Sequence, residues 1–299
     1  MTNENQARLK IITAMFLYGT IGIFVRNIPL PSSVTALVRG IIGAAFILIF
    51  MRMRKIRLSF ADIKANLLLL CLSGAAIGVN WIFLFEAYRY TTVALATLCY
   101  YFSPIFIIIV SPLFLKERLT LKKFCCVLIA LLGMALISGV FETAGVSALH
   151  AKGITLGIGA AALYAFVVIL NKKLHHISAY DRTVVQLGVA AAILLPYTLL
   201  TEKVRELSVS IPGICLLLIV GILHTGVAYT LYFSSLRDLK AQTAAILSYI
   251  DPIVAIILST VLLKEQMTPL SALGAVLILG ATFVGELHIN IRDRNIMQN

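Results

Sequence analysis

The feature that most constrains this chain is a series of ten apolar runs, each about as long as a membrane-spanning helix. A helix needs roughly 20 apolar residues to cross the hydrocarbon core of a bilayer. The runs are 9–27, 34–51, 65–87, 92–115, 121–140, 153–172, 182–200, 211–234, 241–263 and 269–287. The sequence therefore predicts an all-α membrane protein with ten transmembrane helices and no extramembrane domain.

The composition excludes a water-soluble fold. Of the 299 residues, 60% are hydrophobic and 13% are charged, whereas a soluble domain is roughly half apolar and about one quarter charged. The formal net charge of +12 comes from Lys and Arg in short clusters between the apolar runs. Membrane topology explains such clusters, so we expect a lipid bilayer, and no nucleic acid, among the partners.

The chain also contains an internal repeat. The stretch Ser248–Thr268 has a counterpart 148 positions earlier, in which Pro104 corresponds to Pro252 and Glu117 to Glu265. Each half of the chain has five apolar runs, an odd number, so the second half must enter the membrane from the opposite side. This pattern predicts two inverted five-helix repeats, a plan that is common among secondary transporters.

We expect the repeats to cover residues 1–143 and 152–299. Tyr18 and Tyr164 occupy matching places in the first and sixth runs. A cleaved signal peptide would have no reason to match a retained helix, and no small-residue cleavage site follows the first run. The first run is therefore expected to remain as a transmembrane helix.

The positions of Lys and Arg orient the chain. With the N-terminus in the cytoplasm, 18 of the 25 Lys and Arg residues lie on the cytoplasmic side and 7 on or near the other side. Those seven are Arg26, Arg39, Arg89, Lys152, Lys203, Arg205 and Lys264. Cytoplasmic loops carry the excess of positive charge, so we expect both termini in the cytoplasm, at a bacterial cytoplasmic membrane. Arg39 is expected to extend toward the outer surface.

Several polar or aromatic side chains fall near the middle of the predicted helices. A polar group at that depth is costly unless it faces a cavity or a partner. The candidates for a substrate site are Tyr18, Asn80, Trp81, Tyr101, Ser103, Tyr164, His224 and Tyr249. Helix packing is the alternative for the aromatic residues and Asn80, and His224 is equally compatible with a bond to a neighbouring backbone carbonyl.

Asp251 is the strongest candidate, for substrate contact or for ion coupling. Ionisable residues inside a membrane are usually functional, although a structural pairing with another buried polar group is the alternative. Pro104 and Pro252 each remove a backbone donor and are expected to break their helices at a central cavity. Ser103 occupies the position equivalent to Asp251, so only one half supplies the ionisable group.

No motif for soluble-type catalysis is present in the sequence. There is no Gly-rich phosphate loop and no His-Glu-x-x-His or Gly-x-Ser-x-Gly pattern. The five cysteines lie inside apolar runs without metal-ligand spacing. We therefore expect no cofactor, no metal, no catalytic residue and no ATP drive. The glycine pairs Gly74/Gly78 and Gly153/Gly157 indicate close helix packing.

Two related segments, Phe85–Leu98 and Phe233–Leu247, carry a resemblance to a known family. Each is followed by a Ser-Pro or Asp-Pro helix and a Leu-Lys-Glu-[Arg/Gln]-[Leu/Met]-Thr turn. Over nearly its whole length the chain resembles the EamA-type branch of the drug/metabolite transporter superfamily. The resemblance implies a cavity lined by the first, third, fourth, sixth, eighth and ninth helices. The family commonly has Glu-Pro where this chain has Asp251-Pro252.

The leading functional hypothesis is a secondary transporter that exports small organic metabolites, amino acids or amphiphilic compounds, by alternating access around a midplane cavity. It would act as a monomer or homodimer, and both proton coupling through Asp251 and facilitated exchange are compatible with the sequence. The alternative is an intramembrane enzyme that acts on a lipid or isoprenoid, with Asp251 and His224 as an acid/base pair. A non-transporting sensor or channel is the third hypothesis.

Overall fold

A computed structural model describes residues 3–25, 27–91, 93–137, 148–262 and 269–286. Every regular element in this part of the chain is a helix, which confirms the all-α prediction. The elements are α1 (Asn3–Val25), α2 (Ser32–Met53), α3 (Phe60–Ala65), α4 (Leu67–Tyr90), α5 (Val93–Tyr100), α6 (Ser103–Leu115), α7 (Leu121–Ile137), α8 (Ala148–Lys173), α9 (Ala179–Thr201), a 3₁₀ turn (Val204–Glu206), α10 (Ile211–Ile219), a π-helical segment (Val220–Val227), α11 (Ala228–Ser235), α12 (Ala241–Leu247), α13 (Ile250–Leu262) and α14 (Pro269–Glu286).

Seven helices in the described part of the chain are long and apolar enough to cross a membrane. They are α1, α2, α4, the run Ala96–Leu115 through α5 and α6, α8, α9 and the run Ile211–Ser235 through α10, the π-helical segment and α11. The other three predicted runs form the shorter helices α7, α12 with α13, and α14. The chain is therefore a multi-pass membrane protein, and the count of ten transmembrane helices stays a prediction.

Contacts between the two halves of the chain come in equivalent pairs. For a contact of a second-half helix with a first-half helix, the matching helices of the opposite halves are also in contact. Helix α8 of the second half packs on α4 and α6 of the first half. Its counterpart α1, in the first half, packs on α11 and α13 of the second half. In the same way α9 packs on α4, and α2 packs on the π-helical segment. Three further contacts join the halves directly, α2 with α9, α6 with α12 and α7 with α14. Each half therefore completes its packing on helices from the other half.

Two short breaks divide the helices that carry the prolines. Tyr101 and Phe102 separate α5 from α6, and Ser248 and Tyr249 separate α12 from α13. A proline in the first turn of the second helix cannot donate the hydrogen bond that would continue the first helix. The Tyr101 and Tyr249 rings stack at 6.2 Å between centroids, and Tyr249 Oη donates to the Tyr101 carbonyl at 3.3 Å. The two breaks therefore meet at the centre of the bundle.

Gly78 lies at a close approach of α4 and α9. A Cβ atom added to Gly78 would lie 2.9 Å from Ile193 Cβ and 3.0 Å from the Ala190 carbonyl oxygen. Gly74 lies one turn earlier, and a Cβ atom added to it would lie 2.8 Å from Val189 Cβ on α9. The small-xxx-small spacing of α4 therefore serves helix packing.

We expect Gly78→Ala to destabilise the bundle by about 1–3 kcal/mol, because the added methyl group overpacks this contact. The matched control is Gly188→Ala on α9, where nothing lies within 4 Å of the added Cβ. The control should be neutral or slightly stabilising, since alanine favours a helix over glycine. Unfolding by sodium dodecyl sulfate titration measures both variants, and equal effects would contradict the packing role of Gly78.

Candidate functional site

A cavity of about 520 Å³ lies at the centre of the bundle. Side chains from α1, α2, α4, α5, α6, α8, α11 and α13 line it, together with the two helix breaks. Eight of the eleven residues singled out from the sequence are among the lining residues: Tyr18, Asn80, Trp81, Tyr101, Ser103, Pro104, Tyr164 and Asp251. The volume is within the range of about 300–1,000 Å³ that small-molecule sites occupy.

Three of the eleven residues are not among the lining residues. His224 is 1% exposed in the π-helical segment, and its Nε2 atom lies 2.8 Å from Thr20 Oγ1 on α1. Tyr249 lies behind Tyr101, against which it stacks. Pro252 is buried in the first turn of α13. The histidine thus joins two helices, and no hydrogen bond links it to Asp251.

Ten of the 25 residues that line the cavity are aromatic. Seven tyrosines contribute, at positions 18, 88, 100, 101, 164, 229 and 232, with Trp81, Phe85 and Phe233. Ring contacts run without interruption from Trp81 through Tyr229, Tyr18, Tyr232, Tyr164 and Tyr100 to Tyr101, with centroid distances of 5.6–6.5 Å. Such aromatic walls bind apolar ring systems and cationic groups.

Four of the seven tyrosines are not among the candidates predicted from the sequence: Tyr88, Tyr100, Tyr229 and Tyr232. Tyr229 and Tyr232 lie in the eighth apolar run, three residues apart, and satisfy the criterion that selected Tyr18 and Tyr164. Residues three apart share one helix face, so the pair was detectable from the sequence. Tyr88 lies just beyond the third run, 65–87, at a depth where tyrosine commonly anchors a helix at the interface.

Asn80 fixes the relative position of two helices beside the cavity. Its Nδ2 atom donates to the Ala160 carbonyl on α8 at 2.5 Å, and the side chain is 2% exposed. Trp81 follows it and presents its ring edge-on to Tyr229 at 6.2 Å. The pair therefore combines a structural hydrogen bond with an aromatic surface.

Two oppositely charged side chains line the cavity, and they do not pair with each other. The Arg39 guanidinium lies 4.5 Å from the centroid of the Trp81 ring and lines the cavity. Asp251 lies in the first turn of α13, next to the break that precedes this helix, and lines the cavity. No ion pair involves either residue in the described part of the chain.

At one end of the bundle, the connection 236–240 between α11 and α12 and the start of α12 are bonded to α8 and to the residues that follow α6. Lys172 Nζ donates to the Leu236 and Leu239 carbonyls at 2.8 and 2.6 Å. The Glu117 carboxylate accepts from the backbone N–H groups of Ala241 and Gln242, at 2.7 and 3.2 Å. We refer to this side of the bundle as the Glu117 end.

The opposite end carries an ion-pair cluster. Arg89 pairs with Glu86 at 3.2 Å, the local pair that the spacing of these residues indicates, and with Glu202 at 2.6 Å. Tyr197 Oη donates to Glu86 and Ser33 Oγ to Glu202. The cavity lies toward this Glu202 end, since its lining on α4 is confined to the half from residue 77 to residue 88.

Both halves of the chain match the sequence model of one known family. The sequence model of the EamA-like transporter family matches residues 7–139 and again residues 151–285. The chain belongs to the EamA-like transporter family. The two matches cover almost all of both halves, and the resemblance noted from the Ser-Pro and Asp-Pro helices is confirmed. Membership places this EamA-like protein among the membrane transporters.

Individual relatives of this EamA-like protein have similar names. "Uncharacterized transporter YxxF" of Bacillus subtilis strain 168 is 31% identical over 280 residues, which cover 92% of this chain and 88% of the relative. An "Uncharacterized transporter" of Archaeoglobus fulgidus is 27% identical over 92% of this chain and 94% of its own length. A solved crystal structure with 18% identity superimposes with a TM-score of 0.84, over 94% of this chain and 97% of the other, and shows the same fold.

Proposed function

We propose that this EamA-like protein is a secondary transporter that exports small organic metabolites, such as amino acids or amphiphilic compounds, by alternating access. The observation that carries the proposal is the aromatic cavity at the centre of the bundle, which extends toward the Glu202 end. The bonds of Lys172 and Glu117 to the connection between α11 and α12 are proposed to close the Glu117 end. A carrier must alternate such a cavity between its two sides. The lining residues Tyr18, Trp81, Tyr164 and Asp251 are the proposed substrate contacts.

The same proposal includes ten transmembrane helices in two inverted repeats, over residues 1–143 and 152–299. Two findings support it: the family matches twice, and the helix contacts occur in pairs that exchange the halves. Secondary transporters commonly move one repeat against the other around a midplane site. The excess of Lys and Arg on one side supports cytoplasmic termini, with the Glu117 end facing the cytoplasm of a bacterium.

The acid/base pair required by the alternative enzyme is not assembled. His224 is directed at Thr20 and does not line the cavity that contains Asp251. A general acid or base must reach the reacting atoms, directly or through one water. The observed placement therefore favours transport over intramembrane catalysis.

Counterflow in proteoliposomes tests the transport function. Trp81 is the only tryptophan of the chain and lines the cavity, so ligands can first be selected by a change in its fluorescence. We expect a selected ligand loaded inside the vesicles to accelerate uptake of its labelled form at least several-fold, and Tyr164→Ala to reduce this exchange. Ligands that bind beside Trp81 but are never exchanged would contradict the transporter proposal.

A further inference from the structure

We propose that the cavity takes monovalent organic cations with an aromatic body, and that a proton and the cation occupy the Asp251 carboxylate in turn. This inference rests on the transport function proposed above and names its substrate class. It follows from the placement of Arg39 and Asp251 in the cavity and from the tyrosine wall.

Asp251 has no cationic partner in the described part of the chain. An ionised carboxylate away from bulk water requires a compensating positive charge. Arg39 lines the same cavity, but it lies against Trp81 and forms no ion pair with Asp251. The compensating charge must therefore come from outside the described chain, as a proton or as a bound cation.

Apart from Arg39, no described residue places a second charged side chain in the cavity that contains Asp251. From α1 the titratable group there is Tyr18, since Glu4, Arg8 and Lys10 lie in the first turns of that helix. Tyr100 and Tyr101 approach from the end of α5. Helix α12 has no titratable residue, and α14 has none between residues 269 and 284. Neutral phenols therefore surround the carboxylate.

The tyrosine wall suits the body of such a cation. A cation within about 6 Å of an aromatic ring centroid is attracted by the negative face of the ring. Seven tyrosines and Trp81 line a volume of about 520 Å³, enough for an amine with one or two rings. Aromatic contact can therefore replace part of the water that a quaternary or protonated amine loses on entry.

Arg39 sets the orientation and the charge of the ligand. Its guanidinium covers the face of Trp81 and repels positive charge at that wall. A monovalent cation can place its charge at Asp251 and its rings across Tyr18 and Tyr164, whereas a dication would approach Arg39. Because one cation replaces one proton at Asp251, the exchange of the two moves no net charge across the membrane.

Trp81 fluorescence provides the binding test on the full-length protein in detergent. The probes are benzyltrimethylammonium, neutral benzyl alcohol, anionic phenylacetate and zwitterionic phenylalanine. We expect benzyltrimethylammonium to bind at least tenfold more tightly than the other three. Its affinity should fall as the pH is lowered, by up to about tenfold per pH unit where one proton competes. Equal or tighter binding of benzyl alcohol or phenylalanine would overturn the inference.

Matched variants assign the effect to Asp251. We expect Asp251→Asn to lose about ten- to hundredfold in affinity for benzyltrimethylammonium, together with the pH dependence, while Asp251→Glu retains both. The control Asp62→Asn removes a carboxylate from α3, outside the cavity, and should bind as the unmodified protein does. A helical circular dichroism spectrum of Asp251→Asn that matches that of the unmodified protein separates a lost charge from a lost fold.

Counterflow of the same four probes separates this inference from the transport function. Phenylalanine exchange without benzyltrimethylammonium binding would overturn the cation assignment and leave the transporter. Asp251-dependent binding of benzyltrimethylammonium without exchange of any probe would overturn the transport function and leave the cation site. Benzyltrimethylammonium binding that is unchanged in Asp251→Asn would remove Asp251 from the site.

Discussion

Replacing Glu117 with glutamine should open the cavity at the Glu117 end. The carboxylate accepts two backbone N–H groups in the first turn of α12, where a helix has unsatisfied donors and favours negative charge. Hydrogen bonds to a charged group are worth about 1.5–3 kcal/mol, and glutamine keeps only a neutral acceptor. We therefore expect the equilibrium to shift about ten- to hundredfold away from the closed state.

Cysteine modification measures this shift. Ser248 lines the cavity and lies in the break between α12 and α13. The substitution Ser248→Cys is introduced into a protein without its native cysteines. A membrane-impermeant methanethiosulfonate is then applied from either side in oriented vesicles. In Glu117→Gln the rate from the Glu117 end should rise about tenfold or more, and the rate from the other end should fall.

The control for Glu117→Gln is Glu206→Gln, which removes a carboxylate that is 70% exposed and pairs with Lys203. Exposed pairs contribute about 0–1 kcal/mol, so neither rate should change. Unchanged modification of Ser248→Cys in the Glu117→Gln protein would show that the carboxylate does not hold this end closed.

Replacing Lys172 with methionine should cost about 2–6 kcal/mol of stability. The ammonium donates to the Leu236 and Leu239 carbonyls, and these two residues are 0% and 2% exposed. Each buried carbonyl that loses its partner costs about 1–3 kcal/mol. Methionine preserves the length of the apolar stem and removes only the donor.

Lys173→Met is the matched control, because it changes the next residue of the same helix. Its ammonium lies 4.9 Å from the centroid of the Phe114 ring, a contact worth about 0.5–1 kcal/mol at an exposed site. Detergent-induced unfolding, followed by circular dichroism, compares the two variants. Similar losses for Lys172→Met and Lys173→Met would contradict the role of Lys172 as a helix-end donor.

Arg39 shows what a local sequence pattern does not determine. Near the end of an apolar run, an arginine normally extends toward the interface, and the sequence contains nothing to suggest otherwise. In the structure its guanidinium lines the cavity, 4.5 Å from the centroid of the Trp81 ring on α4. That contact joins residues 42 positions apart in the chain, and only the packing of α2 beside α4 brings them together.

His224 and Tyr249 also show that position along an apolar run does not determine which side chains line the cavity. Both lie at mid-span, as the substrate-site interpretation requires, yet each is 1% exposed and bonded to a neighbouring helix or break. Depth in the membrane can be read from position along a run. The side of the helix that faces the cavity depends on how the neighbouring helices pack.

The sequence by itself determined that this protein is helical, multi-pass and built on a repeated pattern, because apolar runs of spanning length leave backbone groups no partner except within a helix. It also selected Asp251 and the proline positions, since intramembrane charge and a missing backbone donor are visible in the residue types. The tertiary structure decided which aromatic side chains form one wall, that Arg39 and Asp251 remain apart, and how the connection between α11 and α12 is held at the Glu117 end. Those features depend on contacts between distant helices, and no local pattern encodes them.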